Sequence, residues 1–300
     1  MPKNNPENKS NKKILVIKLG ALGDFVQAAG PFAAIRHHHQ DAEITLLTAP
    51  VFAPFAGASP WFDKIEIDHR PSALQFGRWL ALRSWLRRQN FSRVYDLQTS
   101  DRSGFYFKLF WPETKLCQKP DWSGIAPGCS HPHANQRRDL MHTIERQQEQ
   151  LSMAGIAGVE AGDFSWVTAD IERFGLAENF ALIMAGGATH RPDKRWSVAN
   201  YQTVAQYLIS RGIMPVFIGS ADELPLTTEI AEVDPMCISL AGETSIIDLF
   251  ALAQKAKLAI GNDTGPMHAA AATGCKTIVL YSAASDPALC AQRGADVTIH

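Results

Sequence analysis

Three hundred residues, 46% of them hydrophobic and 20% charged, give enough apolar material for two globular domains of ordinary size. A formal net charge of −1 and the lack of any apolar run near the 18 or so residues of a membrane span exclude a polycationic nucleic-acid binder and an integral helical membrane protein. Residues 1–150 nevertheless carry 20 Lys+Arg against 14 Asp+Glu, and residues 151–300 carry 9 against 16, so a basic half precedes an acidic one.

The first 12 residues are polar throughout and read as a disordered tail without the apolar core of a secretory signal. Ile14–Lys18 has a buried-strand pattern, Ala21–Gly23 a turn, and Asp24–Arg36 helical spacing of Phe25, Ala28, Ala29, Phe32 and Ile35. Glu43–Thr48 predicts a strand, 50–60 a loop or short helix, and Lys64–Ile67 a strand end. Leu74–Asn90 predicts a basic amphipathic helix with Trp79, Leu82, Trp85 and Leu86 set among Arg78, Arg83, Arg87 and Arg88. Its pattern suits an interfacial helix, but in an α/β domain the Trp/Leu face is expected to pack on the sheet. Arg93–Leu97 reads as a strand, 112–139 as loops, and His142–Gly155 as a helix. The segment 156–178 is expected to hold the domain linker. Alternation resumes with strands at Phe180–Met184, Met214–Gly219, Leu258–Ile260 and Thr277–Tyr281. Helices are expected at Val198–Arg211, Pro225–Glu232, Ser245–Lys255 and Ala269–Thr273. Strand–helix alternation in both halves predicts α/β domains with parallel sheets, whose ligands bind at strand carboxyl ends.

Cys117, Cys129, Cys237, Cys275 and Cys290 are odd in number and contain no Cys-x-x-Cys pair. They read as reduced thiols of a cytoplasmic protein. His37–His39 and the pair His131 and His133 lack the carboxylate or cysteine company of a metal site, so no metal is expected. The charge asymmetry fits a basic domain facing a phosphorylated lipid at a membrane surface, and fits ordinary surface variation equally.

Three strand-to-helix turns carry the candidate chemistry. In Leu258–Gly274 an apolar strand runs through Asn-Asp-Thr-Gly-Pro-Met-His into an alanine-rich helix. Pro266 is expected at the first helical position and Gly265 at the N-cap, leaving the amides of Met267 and His268 to face an anion. Asp263, Thr264 and His268 suit a phosphate, a ribose or a sugar hydroxyl. In Lys18-Leu-Gly-Ala-Leu-Gly-Asp24 the two glycines permit a tight turn, and Asp24 by itself reads as a helix cap. In Met184–Trp196, glycines bring backbone near a ligand while Thr189 offers a hydroxyl and Lys194 a mobile cation; a basic surface loop would look the same.

Together, Lys18–Asp24, Lys194-Arg-Trp196 and Asn262–His268, in this order and at these separations, resemble glycosyltransferase family 9, the ADP-heptose:lipopolysaccharide heptosyltransferases of Gram-negative bacteria. Tyr95-Asp-Leu-Gln98, His142-Thr-Ile-Glu-Arg146 and Arg211–Ser220 extend the resemblance over roughly residues 13–290. The resemblance implies a GT-B fold, two Rossmann-like domains facing across a cleft, with 13–168 as acceptor domain and 169–300 as donor domain. It implies an inverting glycosyltransferase that needs no metal or other cofactor. Asp24 would be the general base. Thr189, Lys194, Asp263, Thr264, Gly265 and His268 would hold the donor phosphates and sugar. Glu223 and Thr244 would meet the nucleoside, and Lys18 and Gln98 the acceptor. The implied partners are an ADP-sugar and a phosphorylated lipid or glycan acceptor, with peripheral contact at the cytoplasmic face of the inner membrane and no nucleic acid. Ser282-Ala-Ala-Ser-Asp-Pro287 and His190 depart from the family pattern. Two other functions share these features: a non-catalytic sugar-nucleotide-binding protein and a GT-B nucleotide-sugar epimerase.

Overall fold

The computed structural model describes residues 12–114, 118–187, 193 and 195–300. The chain forms two compact units. One comprises the residues up to Gly20 with Ala28–Gly162; the other comprises Ala21–Gln27 with Asp163–His300.

In the first unit, β1 (Lys13–Ile17) is followed, beyond the short α1 (Leu22–Gln27) of the second unit, by α2 (Ala29–His38), β2 (Glu43–Thr48), α3 (Ala53–Ala58), β3 (Lys64–Ile67), α4 (Phe76–Gln89), β4 (Arg93–Asp96), α5 (Asp101–Lys108), β5 (Asp121–Gly124), β6 (His131–Pro132) and α6 (Thr143–Met153). The strands pair in parallel in the order β3-β2-β1-β4-β5-β6. β1 and β2 are apolar nearly throughout, as strands covered on both faces must be. Leu15, Ile17, Leu47, Leu86, Val94 and Trp122 meet in one core cluster, and Trp79, Leu82 and Trp85 of α4 pack against it.

The second unit repeats the plan with β7 (Phe180–Met184), α7 (Val198–Ser210), β8 (Met214–Phe217), α8 (Leu224–Ala231), β9 (Ile238–Ser239), α9 (Ile246–Lys255), β10 (Leu258–Asn262), α10 (Gly265–Ala272), β11 (Thr277–Leu280), α11 (Pro287–Cys290) and β12 (Val297–Ile299). Its parallel order is β12-β11-β10-β7-β8-β9. Counted from the first strand of each unit, both sheets run 3-2-1-4-5-6, the dinucleotide-binding order. The chain leaves β7 toward one edge and returns to β10 on its other side, so the carboxyl ends of β7 and β10 flank the switch point where such sheets open a crevice.

Several expectations are corrected. The helix read over Asp24–Arg36 breaks at Ala28, because α1 packs in the second unit and α2 in the first. The stretch 112–139 is not all loop: β5 and β6 lie in it, too short and too polar to show a period of two. α5 was hidden in the same way; it is set by a capping box between Ser100 and Ser103. β9, β12 and α11 are likewise two to four residues long. In α10 the register moves by one: Thr264 is the N-cap, Gly265 the first helical residue and Pro266 the second. The Met267 amide, expected to be free, donates to the Thr264 carbonyl at 3.2 Å.

Candidate functional site

The loops that leave the carboxyl ends of β7, β8 and β10, with the start of α1, line a cavity of about 460 Å³ in the second unit. Gly187 comes from the first loop, Ser220 and Glu223 from the second, and Asp263 and Thr264 from the third. Two helix amino ends meet at its wall. A side chain at Gly265 would place Cβ 2.8 Å from Leu22 Cβ and 3.2 Å from the Gly23 nitrogen, so only glycine lets α10 start this close to α1. The buried His268 ring lies against Gly23 in the same contact.

Asp24 occupies the first turn of α1, where a carboxylate is favoured by the helix dipole. It lines the cavity half-buried, and among the described residues its carboxylate makes no hydrogen bond or ion pair. Thr264, though it is the N-cap, does not cap α10 with its side chain. Its Oγ1 is buried and without a partner among the described residues, which leaves it available to a ligand.

The other polar groups are held by the protein. Glu223 Oε1 accepts from the Gly187 amide at 2.7 Å. Its Oε2 accepts from the Ser220 amide at 2.7 Å and from the Ser220 hydroxyl at 3.1 Å. One carboxylate thus fastens the loop after β7 to the loop after β8. Asn262, fully buried at the end of β10, uses both ends of its amide. Oδ1 accepts from the Trp196 amide at 3.1 Å and the Tyr201 hydroxyl at 2.9 Å, while Nδ2 donates to the carbonyls of Ala185 at 2.8 Å and Gly186 at 3.0 Å. Asp263 Oδ1 accepts from Gln292 Nε2 at 3.0 Å and the Tyr281 hydroxyl at 3.2 Å. Burial, and then the Asp263 charge, push the Tyr281 phenol above its usual range, so it stays a donor. Arg195 reaches the cavity, donating from Nη2 to the Gly187 carbonyl at 2.8 Å, and its Nε is buried without a partner among the described residues.

Chemically this is a cavity of two characters. Carboxylates from Asp24, Asp222, Glu223 and Asp263 suit hydroxyl-rich groups such as ribose and hexose rings. The amino end of α10 with Arg195 has the positive character that suits an anion.

Of the residues singled out from sequence, Asp24, Glu223, Asp263, Thr264, Gly265 and His268 line this one cavity. Thr244 does not: it sits half-buried in the turn before α9. Thr189 and Lys194 lie outside the described residues. Lys18 and Gln98 belong to the first unit, at the carboxyl edge of β1 and β4. There Lys18 Nζ donates to the Leu97 carbonyl at 3.1 Å and Gln98 Oε1 accepts from the Leu19 amide at 2.7 Å. Beside them burial pushes the Asp96 carboxyl up to about 6, against the amides of Thr99 and Gln98 and the Lys18 charge. Sequence reasoning missed Arg195, although it stands inside the quoted Lys-Arg-Trp, and Asn262, whose role as a staple only the fold reveals. Tyr281 and Gln292 carried no signal at all. Among the described residues no group of three or more His, Cys, Asp or Glu is placed to hold a metal ion; His133 instead pairs with Glu149 at 2.7 Å. No described helix is long and apolar enough to cross a membrane.

The profile of glycosyltransferase family 9 (heptosyltransferase) matches residues 79–292. The chain is 25% identical to lipopolysaccharide heptosyltransferase 2 of Escherichia coli strain K12, over 91% of this chain and 83% of that one. It is 31% identical to lipooligosaccharide heptosyltransferase 2 of Haemophilus ducreyi, over 87% and 80%. The solved structure of E. coli ADP-heptose LPS heptosyltransferase II superposes with a TM-score of 0.78 at 21% identity, covering 96% of this chain and 90% of that one. A family 9 glycosyltransferase from Veillonella parvula gives 0.80 at 20%, covering 98% and 86%. The fold shared with these structures is GT-B.

Proposed function

Since the chain belongs to glycosyltransferase family 9 and is a glycosyltransferase, we propose that it moves heptose from ADP-heptose onto a lipopolysaccharide-core or related glycan acceptor, inverting the anomeric centre. The observation that carries this reading is a carboxylate without a partner among the described residues, Asp24, lining the same cavity as the amino end of α10.

Inversion by one displacement needs a base for the acceptor hydroxyl and a sink for the departing diphosphate. Asp24 takes the hydroxyl proton as the acceptor oxygen attacks the anomeric carbon from the face opposite the leaving group. The charge that develops on ADP is met by the α10 amino end, the Thr264 hydroxyl and the Arg195 guanidinium, groups already in place before reaction. Lys194 and Thr189 join this set by family resemblance. His268, pressed against Gly23, donates to the diphosphate or the transferred sugar. Glu223 and Asp222, which line the cavity, accept from ribose hydroxyls. Asp263, oriented by Tyr281 and Gln292, accepts from sugar hydroxyls. Lys18 and Gln98 are assigned to the acceptor. Protein donors take the place of a divalent ion in this scheme, so EDTA leaves turnover unchanged. The enzyme acts in the cytoplasm, where its acceptor faces inward on the inner membrane.

The test is a calorimetric and mass-spectrometric screen of ADP-, UDP-, GDP- and CMP-sugars with the purified chain, with and without a core-oligosaccharide acceptor. The reading requires ADP-sugar binding and acceptor-dependent release of ADP. Donor conversion without acceptor indicates an epimerase, and ADP binding without consumption a binding protein; either result removes the proposal.

A further inference from the structure

The outer side of α4 is unlike a helix face made for water. Its 14 residues include four arginines, Arg78, Arg83, Arg87 and Arg88, and no aspartate or glutamate. The inner stripe is accounted for by Leu86, Trp79, Leu82 and Trp85 on the core. Yet Phe76 and Leu80 are 70% and 63% exposed, and Leu74, just before the helix, is 84% exposed. Trp111, 69% exposed, is held beside them: its carbonyl accepts from Arg83 Nη2 at 2.9 Å. Single exposed apolar residues are ordinary; four large ones beside a helix that carries four arginines and no acidic residue are not.

From this we infer that α4, with Leu74 and Trp111, is the surface by which the chain docks on an anionic lipid bilayer. Large apolar side chains in the acyl–headgroup boundary with arginines at the phosphate level are the chemistry of an interfacial helix. The surrounding charges agree. Arg78 and Arg88 line a groove of about 490 Å³ with His69, Glu66 and Asp68. Asp68 accepts from the Tyr106 hydroxyl and the Arg70 amide, so in this groove two arginines face two carboxylates, and the excess positive charge of the patch comes from the basic residues around it. Arg102, over the Trp79 ring, and Lys108 and Lys119, in a groove beside Trp111 and Glu113, add positive charge around the same patch. A second copy of the chain fits less well, because a two-fold contact would set one arginine-bearing, acid-free helix against another. The inference deepens the lipid-linked acceptor class of the proposed reaction and rests on that reading for its purpose; its test uses no donor.

The full chain is floated with vesicles of phosphatidylcholine alone and of phosphatidylcholine with phosphatidylglycerol. Binding to the anionic vesicles, weakened by raising the salt from 50 to 500 mM, is the expected result. Phe76→Ser with Leu80→Ser should lower the vesicle partition roughly tenfold or more, and Arg78→Glu with Arg83→Glu should remove its salt-sensitive part. ADP binding should be unchanged in both pairs, which keeps this inference separate from the donor site. No binding to anionic vesicles at low salt, undiminished binding by either pair, or self-association of the wild type that the Phe76/Leu80 pair abolishes would overturn it.

Discussion

Gly186→Ala probes the part of the proposed donor cavity that the sequence pattern leaves silent. A Cβ at Gly186 would stand 1.8 Å from Glu223 Oε1 and 2.3 Å from its Cδ, so the carboxylate must leave. Leaving breaks the bonds to the Gly187 amide, the Ser220 amide and the Ser220 hydroxyl. Charge-assisted bonds at a half-buried carboxylate contribute about 1 kcal/mol each, so the loss is about 2–3 kcal/mol. Glu223→Ala breaks the same bonds but leaves Gly186 room for a methyl group. The two substitutions should therefore not add: the double variant should be about as stable as either single one, with a coupling near 2 kcal/mol in urea unfolding. ADP affinity should fall together in all three, since Gly187 and Ser220 line the cavity. Costs that add to within about 0.5 kcal/mol would refute the clamp.

Asn262→Ala removes four hydrogen bonds from a fully buried side chain and should destabilise the second unit by about 3–5 kcal/mol, read as an early transition in urea; a loss below about 1 kcal/mol would deny it the stapling role. Asp96 predicts a pH dependence in the first unit. Its folded value is raised from 3.8 to about 6, so the folded state favours the protonated form. The stability this contributes is complete below pH 4 and is lost as pH rises to about 6, a span of about 3 kcal/mol. Asp96→Asn should flatten the unfolding free energy between pH 4 and 6; an unaltered slope would place the titration elsewhere.

The alternation of strands and helices was legible because central parallel strands are covered on both faces and therefore read as apolar runs: Glu43–Thr48 and Phe180–Met184 stand where their patterns put them. Edge strands such as His131–Pro132 were not, since two residues carry no period. The turn after β10 was legible as a strand-to-helix turn through its own residues, Asp-Thr-Gly-Pro packed at a strand end. The N-cap was misplaced by one residue because proline is tolerated at the second helical position as well as the first. The association of α1 with the second unit left no local mark, because it depends on Gly265 meeting Leu22 across more than two hundred residues of chain. Arg195 was overlooked because a lysine beside it offered the more familiar phosphate ligand. The α4 arginines were read correctly as amphipathic, but the exposure of Phe76 and Leu80 could be seen only once the inner stripe had been assigned to Trp79, Leu82, Trp85 and Leu86.

The claim that α1 supplies the base for chemistry at the α10 anion seat is tested most directly by single-turnover transfer from ADP-heptose with Asp24→Asn, alongside ADP titration of the same variant. The account predicts ADP affinity within a few-fold of wild type and a transfer rate lower by about 10²–10⁴. Transfer at the wild-type rate would contradict it, and so would an equal collapse of ADP binding, which would make Asp24 a part of the nucleotide seat and not the base.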